Sequence, residues 1–210
     1  MTRTHLNKHW PMWTFVVVVA LSSLWSAIEP VDRATWFFEL LFGWIGFVIL
    51  VVTYPRFRFS SLAYLSCAFF FFVLAWGAKH TYAEVPWFNW LEETFNLSRN
   101  HADRFGHFFQ GFVPAILVRE LLLRTSKIGR GGWLTSISIL VPLACSAFYE
   151  LLEMWWVAAF YPTEGPDWLG HQNDPWDAQW DMTMALAGAM LAVFALAWLH
   201  RRSIRKVTGA

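Results

Sequence analysis

The stretch WFFELLFGWIGFVILVVTY, residues 36–54, decides the fold class, because Glu39 is the one charged residue among its nineteen positions. A helix of roughly 17 to 25 mostly apolar residues is long enough to cross about 30 Å of hydrocarbon. Residues 36–54 therefore predict a transmembrane helix. The whole chain has the same character, since 57% of its 210 residues are hydrophobic, 19% aromatic and only 15% charged. This composition excludes an ordinary soluble domain.

Five other stretches have the length and apolar character of a transmembrane helix. They lie near residues 11–29, 60–80, 103–123, 133–157 and 178–199. The first follows a basic leader, but Trp13, Trp25 and the lack of a small-residue cleavage site favour an uncleaved span over a signal peptide. The sequence predicts an all-α, polytopic transmembrane helix bundle of six spans, forming a single integral membrane domain over residues 1–210.

Basic residues are distributed unevenly between the two sides of the predicted spans. Short loops rich in Lys and Arg stay in the cytoplasm, so the side with more of them is the inner one. Both termini are then predicted to be cytoplasmic. Of sixteen basic residues, the inner side has Arg3, Lys8, Arg56, Arg58, Arg124, Lys127, Arg130, Arg201, Arg202, Arg205 and Lys206, and the outer side has Arg33, Lys79, Arg99 and Arg104.

Two long outer loops, residues 81–102 and 158–177, contain no long polar tract. We expect both to fold over the periplasmic ends of the helices. Their tryptophans, such as Trp87 and Trp176, fit an interfacial aromatic belt, with stacking on carbohydrate or lipid as the alternative. The lipid bilayer is thus the first predicted partner, and a net charge of +1 gives no surface for nucleic acid.

Ionisable residues in a membrane span cost about 2.5 to 3.5 kcal/mol each on insertion scales, so their positions point to function. In the fourth span, Asp103, His107 and Gln110 are spaced by four and three, which places them on one helix face. Glu150 and Glu153 share a face at the outer end of the fifth span. Since anions are disfavoured at a helix C-terminus, these two need a cationic neighbour. Arg104, a protonated His107 or a metal ion could fill that role.

The sixth span opens with Asp177 and Asp181, one turn apart, and small residues below them would let another helix approach closely. His80 closes the third span at the same outer level. Capping of helix ends, or pairing with Arg99, Arg104 and Lys79, is an alternative role for these groups. We predict that six side chains converge into one site at the outer boundary: Asp103, His107, Glu150, Glu153, Asp177 and Asp181.

A smaller polar signal lies at the inner end of the fourth span, where Arg119 and Glu120 are adjacent. Neighbouring residues on a helix do not face each other, so each needs its own partner. Arg119 could extend to the inner surface beside Arg124. Glu120 could line a proton or ion path.

Several motifs of the chain resemble the YjdF family of bacterial inner-membrane proteins, and the resemblance spans about residues 10–200. The motifs are HTYAEVP at 80–86, RNHADRFGHFFQG at 99–111, RE at 119–120, SAFYELLE at 146–153 and WDAQWDM at 176–182. The resemblance implies a multi-pass protein of the inner (plasma) membrane. Its motifs also contain the residues that we predict to be substrate-binding or structural polar groups: His80, Arg99, Asn100, His101, Arg104, Gln110, Arg119, Glu120, Trp176 and Gln179.

The chain is also similar, more distantly, to VanZ-like proteins. Their pattern has Asp-Lys-x-x-His opening one span, a Glu near the outer end of the next, and an Asp before a small-residue helix. This chain matches the pattern at residues 103–107, Glu150 and Asp181. It departs from the pattern at three positions, with Arg104 where Lys is usual, Glu153 where Gln is common and Ala185 where Asn is usual. This similarity implies a role in the cell envelope.

Three functions fit this pattern. The first is an enzyme that acts on a lipid-linked or cell-envelope substrate through His107, Glu150, Asp181 and Asp103 as catalytic residues. A proton- or ion-coupled carrier and a non-catalytic membrane binding or assembly protein are the alternatives. No HExxH or GxSxG motif marks a known enzyme class. A divalent cation, Mn²⁺, Mg²⁺ or Zn²⁺, would be held by Glu150, Glu153, Asp177, Asp181 and His107.

Overall fold

The computed structural model describes residues 3–160 and 171–209, which form eight α-helices and contain no β-strand. The all-α prediction is therefore confirmed. A short 3₁₀ turn, His171–Asn173, precedes the seventh helix. The helices are α1 (Arg3–Ser26), α2 (Arg33–Thr53), α3 (Ser61–Lys79), α4 (Pro86–Phe95), α5 (Ala102–Thr125), α6 (Gly132–Phe160), α7 (Asp177–Ala195) and α8 (Ala197–Thr208).

Four of these helices, α2, α3, α6 and α7, are long and apolar enough to cross a membrane. The helices α1 and α5 have 24 residues each, which corresponds to about 36 Å at the rise of an α-helix. Both carry several ionisable residues, and this lowers their mean hydropathy. A membrane protein with several apolar helices is thus established, and the count of six spans stays a prediction.

The helix boundaries depart from the sequence-based ones at three places. α1 starts at Arg3, earlier than the predicted residue 11, and α7 ends at Ala195 because a break at Leu196 separates it from the basic helix α8. The outer loop 81–102 contains α4, which starts at Pro86 and ends where Asn96 adopts a left-handed conformation (φ 49°). Proline suits the first turn of a helix and asparagine tolerates this terminal conformation. Half of the other outer loop 158–177, residues 161–170, lies outside the described residues.

The first of two compact units comprises α1–α4 and α8. In it, α1, α2 and α8 each pack against α3. Trp44 Nε1 on α2 donates a hydrogen bond of 3.0 Å to Ser23 Oγ on α1. At the start of α2, the backbone N–H of Thr35 donates to the Asp32 carboxylate, which caps the helix and lowers the pKa of Asp32 below its ordinary value.

The second compact unit contains α5, α6 and α7. α6 packs against α7, and α5 meets α7 through two glycines. A β-carbon on Gly111 would lie 1.8 Å from the Ala185 carbonyl oxygen, and one on Gly188 would lie 1.9 Å from that of Phe108. The two backbones can touch only because neither glycine has a side chain. The predicted close approach to the small residues of α7 is therefore confirmed, and Gly111 on α5 completes it.

Candidate functional site

Asp103, His107 and Asp181 form a compact group, which we call the aspartate–histidine cluster. Each residue offers one ligand atom, and these atoms all lie within 4.8 Å of one another. His107 is 7% exposed and Asp181 is 2% exposed. The cluster follows from the glycine contact, because His107 precedes Gly111 by one turn and Asp181 precedes Ala185 by one turn. The same crossing that joins α5 to α7 thus brings the three side chains together.

The imidazole of His107 lies between two carboxylates. Nε2 is 3.6 Å from Asp103 Oδ1 and Nδ1 is 3.7 Å from Glu150 Oε1. Both distances exceed those of direct hydrogen bonds. Nδ1 is buried and has no hydrogen-bond partner within residues 3–160 and 171–209. A small ligand or a water molecule could therefore bridge His107 to either carboxylate.

Asp177 and Glu153, the other two carboxylates that we predicted for this site, each lie one helical turn from a residue of the site. Asp177 is buried at the start of α7, one turn before Asp181. Glu153 is half-buried on α6, one turn after Glu150. The structure thus brings Asp103, His107, Glu150 and Asp181 into direct proximity, and their convergence with Asp177 and Glu153 stays a prediction.

Arg104 is bonded to Asp174, a residue that sequence reasoning missed. Arg104 Nη2 lies 2.6 Å from Asp174 Oδ2, and its guanidinium lies over the Trp180 ring, 5.3 Å from the centroid. Asp174 also accepts a hydrogen bond from the backbone N–H of Trp176 (3.0 Å) within the turn that leads into α7. The sequence Asn-Asp-Pro at 173–175 is a turn signal that could have pointed to Asp174.

Three further predicted residues lie around this part of the chain. Gln110 is half-buried on α5, whereas the side chains of Trp176 and Gln179 are exposed at the start of α7. Trp176 is 64% exposed. The two exposed side chains are available to lipid or to a substrate headgroup rather than to the buried cluster.

Four of the predicted polar residues, His80, Arg99, Asn100 and His101, belong to the first compact unit. Asn100 is 1% exposed; its Nδ2 donates to the Val85 carbonyl (3.2 Å) and its Oδ1 accepts from Ala102 N–H (2.9 Å). Asn100 therefore fixes the segment before α4 to the first residue of α5. Arg99 is buried, and His80 and His101 are half-buried.

The pair Arg119–Glu120 is buried at the other end of α5. Glu120 is 0% exposed and Arg119 is 6% exposed. Arg124 Nη1 lies 2.7 Å from Glu120 Oε1, one turn further along the helix. Arg119 thus does not extend to the surface, as one interpretation of the sequence expects, and Arg124 is a partner of Glu120.

Comparison with known proteins gives a family and a relative. The sequence model of the family described as "Predicted membrane protein (DUF2238)" matches residues 11–202. "Inner membrane protein YjdF" of Escherichia coli (strain K12) is 37% identical over 206 residues, covering 98% of this chain and 97% of that protein. No solved structure matches the chain. These names describe a location and state no reaction.

Proposed function

The chain belongs to the DUF2238 family of predicted membrane proteins, and from that premise we propose that it is a cation-dependent enzyme acting on a lipid-linked or cell-envelope substrate. The family confirms the resemblance to YjdF, and the protein is a multi-pass protein of the inner membrane. The similarity to VanZ-like proteins stays a prediction. The observation that supports the proposal best is the spacing of the ligand atoms in the aspartate–histidine cluster.

A divalent cation suits this spacing. Ligand atoms at about 2.0 to 2.4 Å from a shared ion are at most twice that distance apart, and the cluster atoms lie within 4.8 Å of one another. Two aspartates this close together repel each other, and a bound divalent cation reduces that repulsion. The orphan Nδ1 of His107, on the side of Glu150, indicates that a further small ligand such as water belongs beside the imidazole. Oxygen ligands with one imidazole favour Mn²⁺ or Mg²⁺, and an open Zn²⁺ site is the other option.

The residues around the cation could supply the rest of the chemistry. A bound cation polarises a phosphoryl or carbonyl oxygen and lowers the pKa of a coordinated water. Glu150, on the far side of His107 from Asp103, could hold the proton of Nδ1 and so raise the basicity of the ligand nitrogen Nε2. In our topology the cluster faces the periplasmic boundary, where lipid headgroups and lipid-linked envelope precursors meet the protein.

The first test is a titration of the purified protein with Mn²⁺, Mg²⁺, Zn²⁺ and Ca²⁺. We expect saturable binding of one divalent cation, and we expect Asp181→Asn to weaken it at least about tenfold, since a lost ligand should cost no less than a lost supporting group. Glu93→Gln removes an exposed carboxylate on α4 and serves as the control with unchanged binding. A wild-type protein that binds none of the four ions would disprove the cation site.

We also propose the topology that the sequence predicts: six spans, cytoplasmic termini, a single integral membrane domain, and outer loops folded over the periplasmic ends. Reporter fusions after Arg58, Ser126 and Ala210 should all have cytoplasmic activity, because basic residues surround these positions. A fusion after Asn96 is the periplasmic control. If the fusion after Ser126 has periplasmic activity while those after Arg58 and Ala210 have cytoplasmic activity, α5 does not span the membrane and the six-span topology is wrong.

A proton- or ion-coupled carrier is the second candidate, and the buried Glu120 favours it. A carboxylate with 0% exposure is uncommon unless it is paired or takes part in transfer. Its pairing with Arg124 fits either a packing role or a path at the inner end of α5. Uptake of Mn²⁺ into proteoliposomes separates the candidates, because an enzyme binds the cation without moving it across the bilayer.

A further inference from the structure

Ser146 has a buried hydroxyl that the proposed chemistry does not use. It lies on α6, one turn before Glu150, and is 0% exposed. Its Oγ has no hydrogen-bond partner within the described residues. A buried hydroxyl without a partner destabilises a fold, so such a group calls for an explanation.

Other helical hydroxyls in this protein bond to the carbonyl four residues back. Ser138 on the same helix donates to Leu134 at 2.7 Å, and Thr183 on α7 donates to Gln179 at 2.8 Å. Ser138 is also 0% exposed. The backbone therefore offers helical serines and threonines a local partner, and Ser146 does not use it. Its hydroxyl is therefore available to a ligand or a water molecule.

His107 Nδ1 is a second buried polar atom without a hydrogen-bond partner within the described residues. It lies beside Glu150, which shares a face of α6 with Ser146. The distance from Nδ1 to Glu150 Oε1 is 3.7 Å, and Glu150 follows Ser146 by one turn. When one nitrogen of a histidine binds a metal, the other usually donates to a carboxylate, a carbonyl or a water. The 3.7 Å gap is too long for a direct bond and is suited to a bridging water.

We propose that Ser146 Oγ, Glu150 and His107 Nδ1 together hold a water molecule that orients His107 as a ligand of the cation. Ser146 is then a positioning residue, and this inference rests on the proposed function of the cluster. Nε2, the nitrogen nearer to Asp103, faces the cation. The site has two sides: a cation subsite with Asp103 and Asp181, and a water subsite with Glu150 and Ser146.

The test compares Ser146→Ala with Ser138→Ala, two buried serines of one helix that differ in whether the hydroxyl has a local partner. Groups that orient a metal ligand typically contribute 10- to 100-fold to metal affinity. We expect Ser146→Ala to weaken Mn²⁺ binding by about tenfold or more, and Ser138→Ala to leave it unchanged. In the presence of chelator, the melting temperature of Ser146→Ala should be no lower than that of the wild type, because the substitution only removes a hydroxyl without a protein partner.

The outcomes separate this inference from the proposed function. Equal Mn²⁺ affinity of wild type and Ser146→Ala overturns the role of Ser146 and leaves the cation site in place. A lower melting temperature of Ser146→Ala in chelator assigns the hydroxyl a structural bond and also overturns it. A wild-type protein that binds none of Mn²⁺, Mg²⁺, Zn²⁺ and Ca²⁺ contradicts both proposals, and the titration of wild type alone reveals this.

Discussion

Replacing Gly111 with alanine should destabilise the protein strongly, because the new β-carbon would lie 1.8 Å from the carbonyl oxygen of Ala185. β-Carbons avoid contacts closer than 3.0 Å, so the backbones of α5 and α7 would have to separate. Neither atom can rotate away, since both positions are fixed by helical backbone. Overpacking typically costs about 1 to 3 kcal/mol, and we expect this backbone clash to reach the upper end or exceed it.

The same substitution should abolish cation binding. Gly111 is one turn from His107, and Ala185 is one turn from Asp181, so separating the helices at this contact widens the cluster beyond its 4.8 Å spacing. Thermal melting and a Mn²⁺ titration measure the two effects. Gly188→Ala should behave in the same way from the side of α7, since its β-carbon would lie 1.9 Å from the Phe108 carbonyl oxygen.

Gly46→Ala on α2 is the matched control, because a β-carbon there has no heavy atom within 4 Å. Alanine is the better helix former by about 1 kcal/mol, so this variant should melt at or above the temperature of the wild type. If Gly111→Ala also melts like the wild type and still binds Mn²⁺, the close crossing of α5 and α7 does not support the cluster.

Six of the helices, and the faces of α5 and α7, were predictable because they depend on local sequence. Apolar runs define helices without reference to the rest of the chain, and steps of four residues align Asp103 with His107 on any α-helix. The approach of Asp181, on α7, to Asp103 and His107 depends on how the two helices pack. The sequence pointed to it through the small residues after Asp181, which indicate a close helix contact.

Other features needed the three-dimensional arrangement. Asp174 meets Arg104 across seventy positions of sequence, and no periodicity connects a turn residue with a helix residue at that separation. The role of Gly111 depends on Ala185, its neighbour on another helix. The orphan hydroxyl of Ser146 is likewise invisible in sequence, because Ser138 is the same residue type on the same helix and has an ordinary hydrogen bond.

With Mn²⁺ bound, the wild type should be more stable than Asp181→Asn. When chelator removes the cation, the variant should become the more stable of the two. In chelator, the wild type keeps two aspartates with ligand atoms within 4.8 Å of each other, and their repulsion destabilises the fold. Asparagine keeps the volume and removes one charge, so the variant should melt at or above the temperature of the wild type. With Mn²⁺ at a hundred times its Kd, the wild type gains about 2.7 kcal/mol, which corresponds to roughly 5 to 10 °C for a chain of this size.

Thermal melting of both proteins with Mn²⁺ and with chelator, at one pH, measures this reversal. Asp174→Asn is the control, because Asp174 is bonded to Arg104 outside the cluster. Losing that ion pair should lower the melting temperature by the same amount in both conditions. The reversal follows only if a cation neutralises the cluster, since protonation of the aspartates would leave the wild type insensitive to chelator. A wild type that melts identically with Mn²⁺ and with chelator would therefore favour a polar network that fixes helix packing, the non-catalytic alternative.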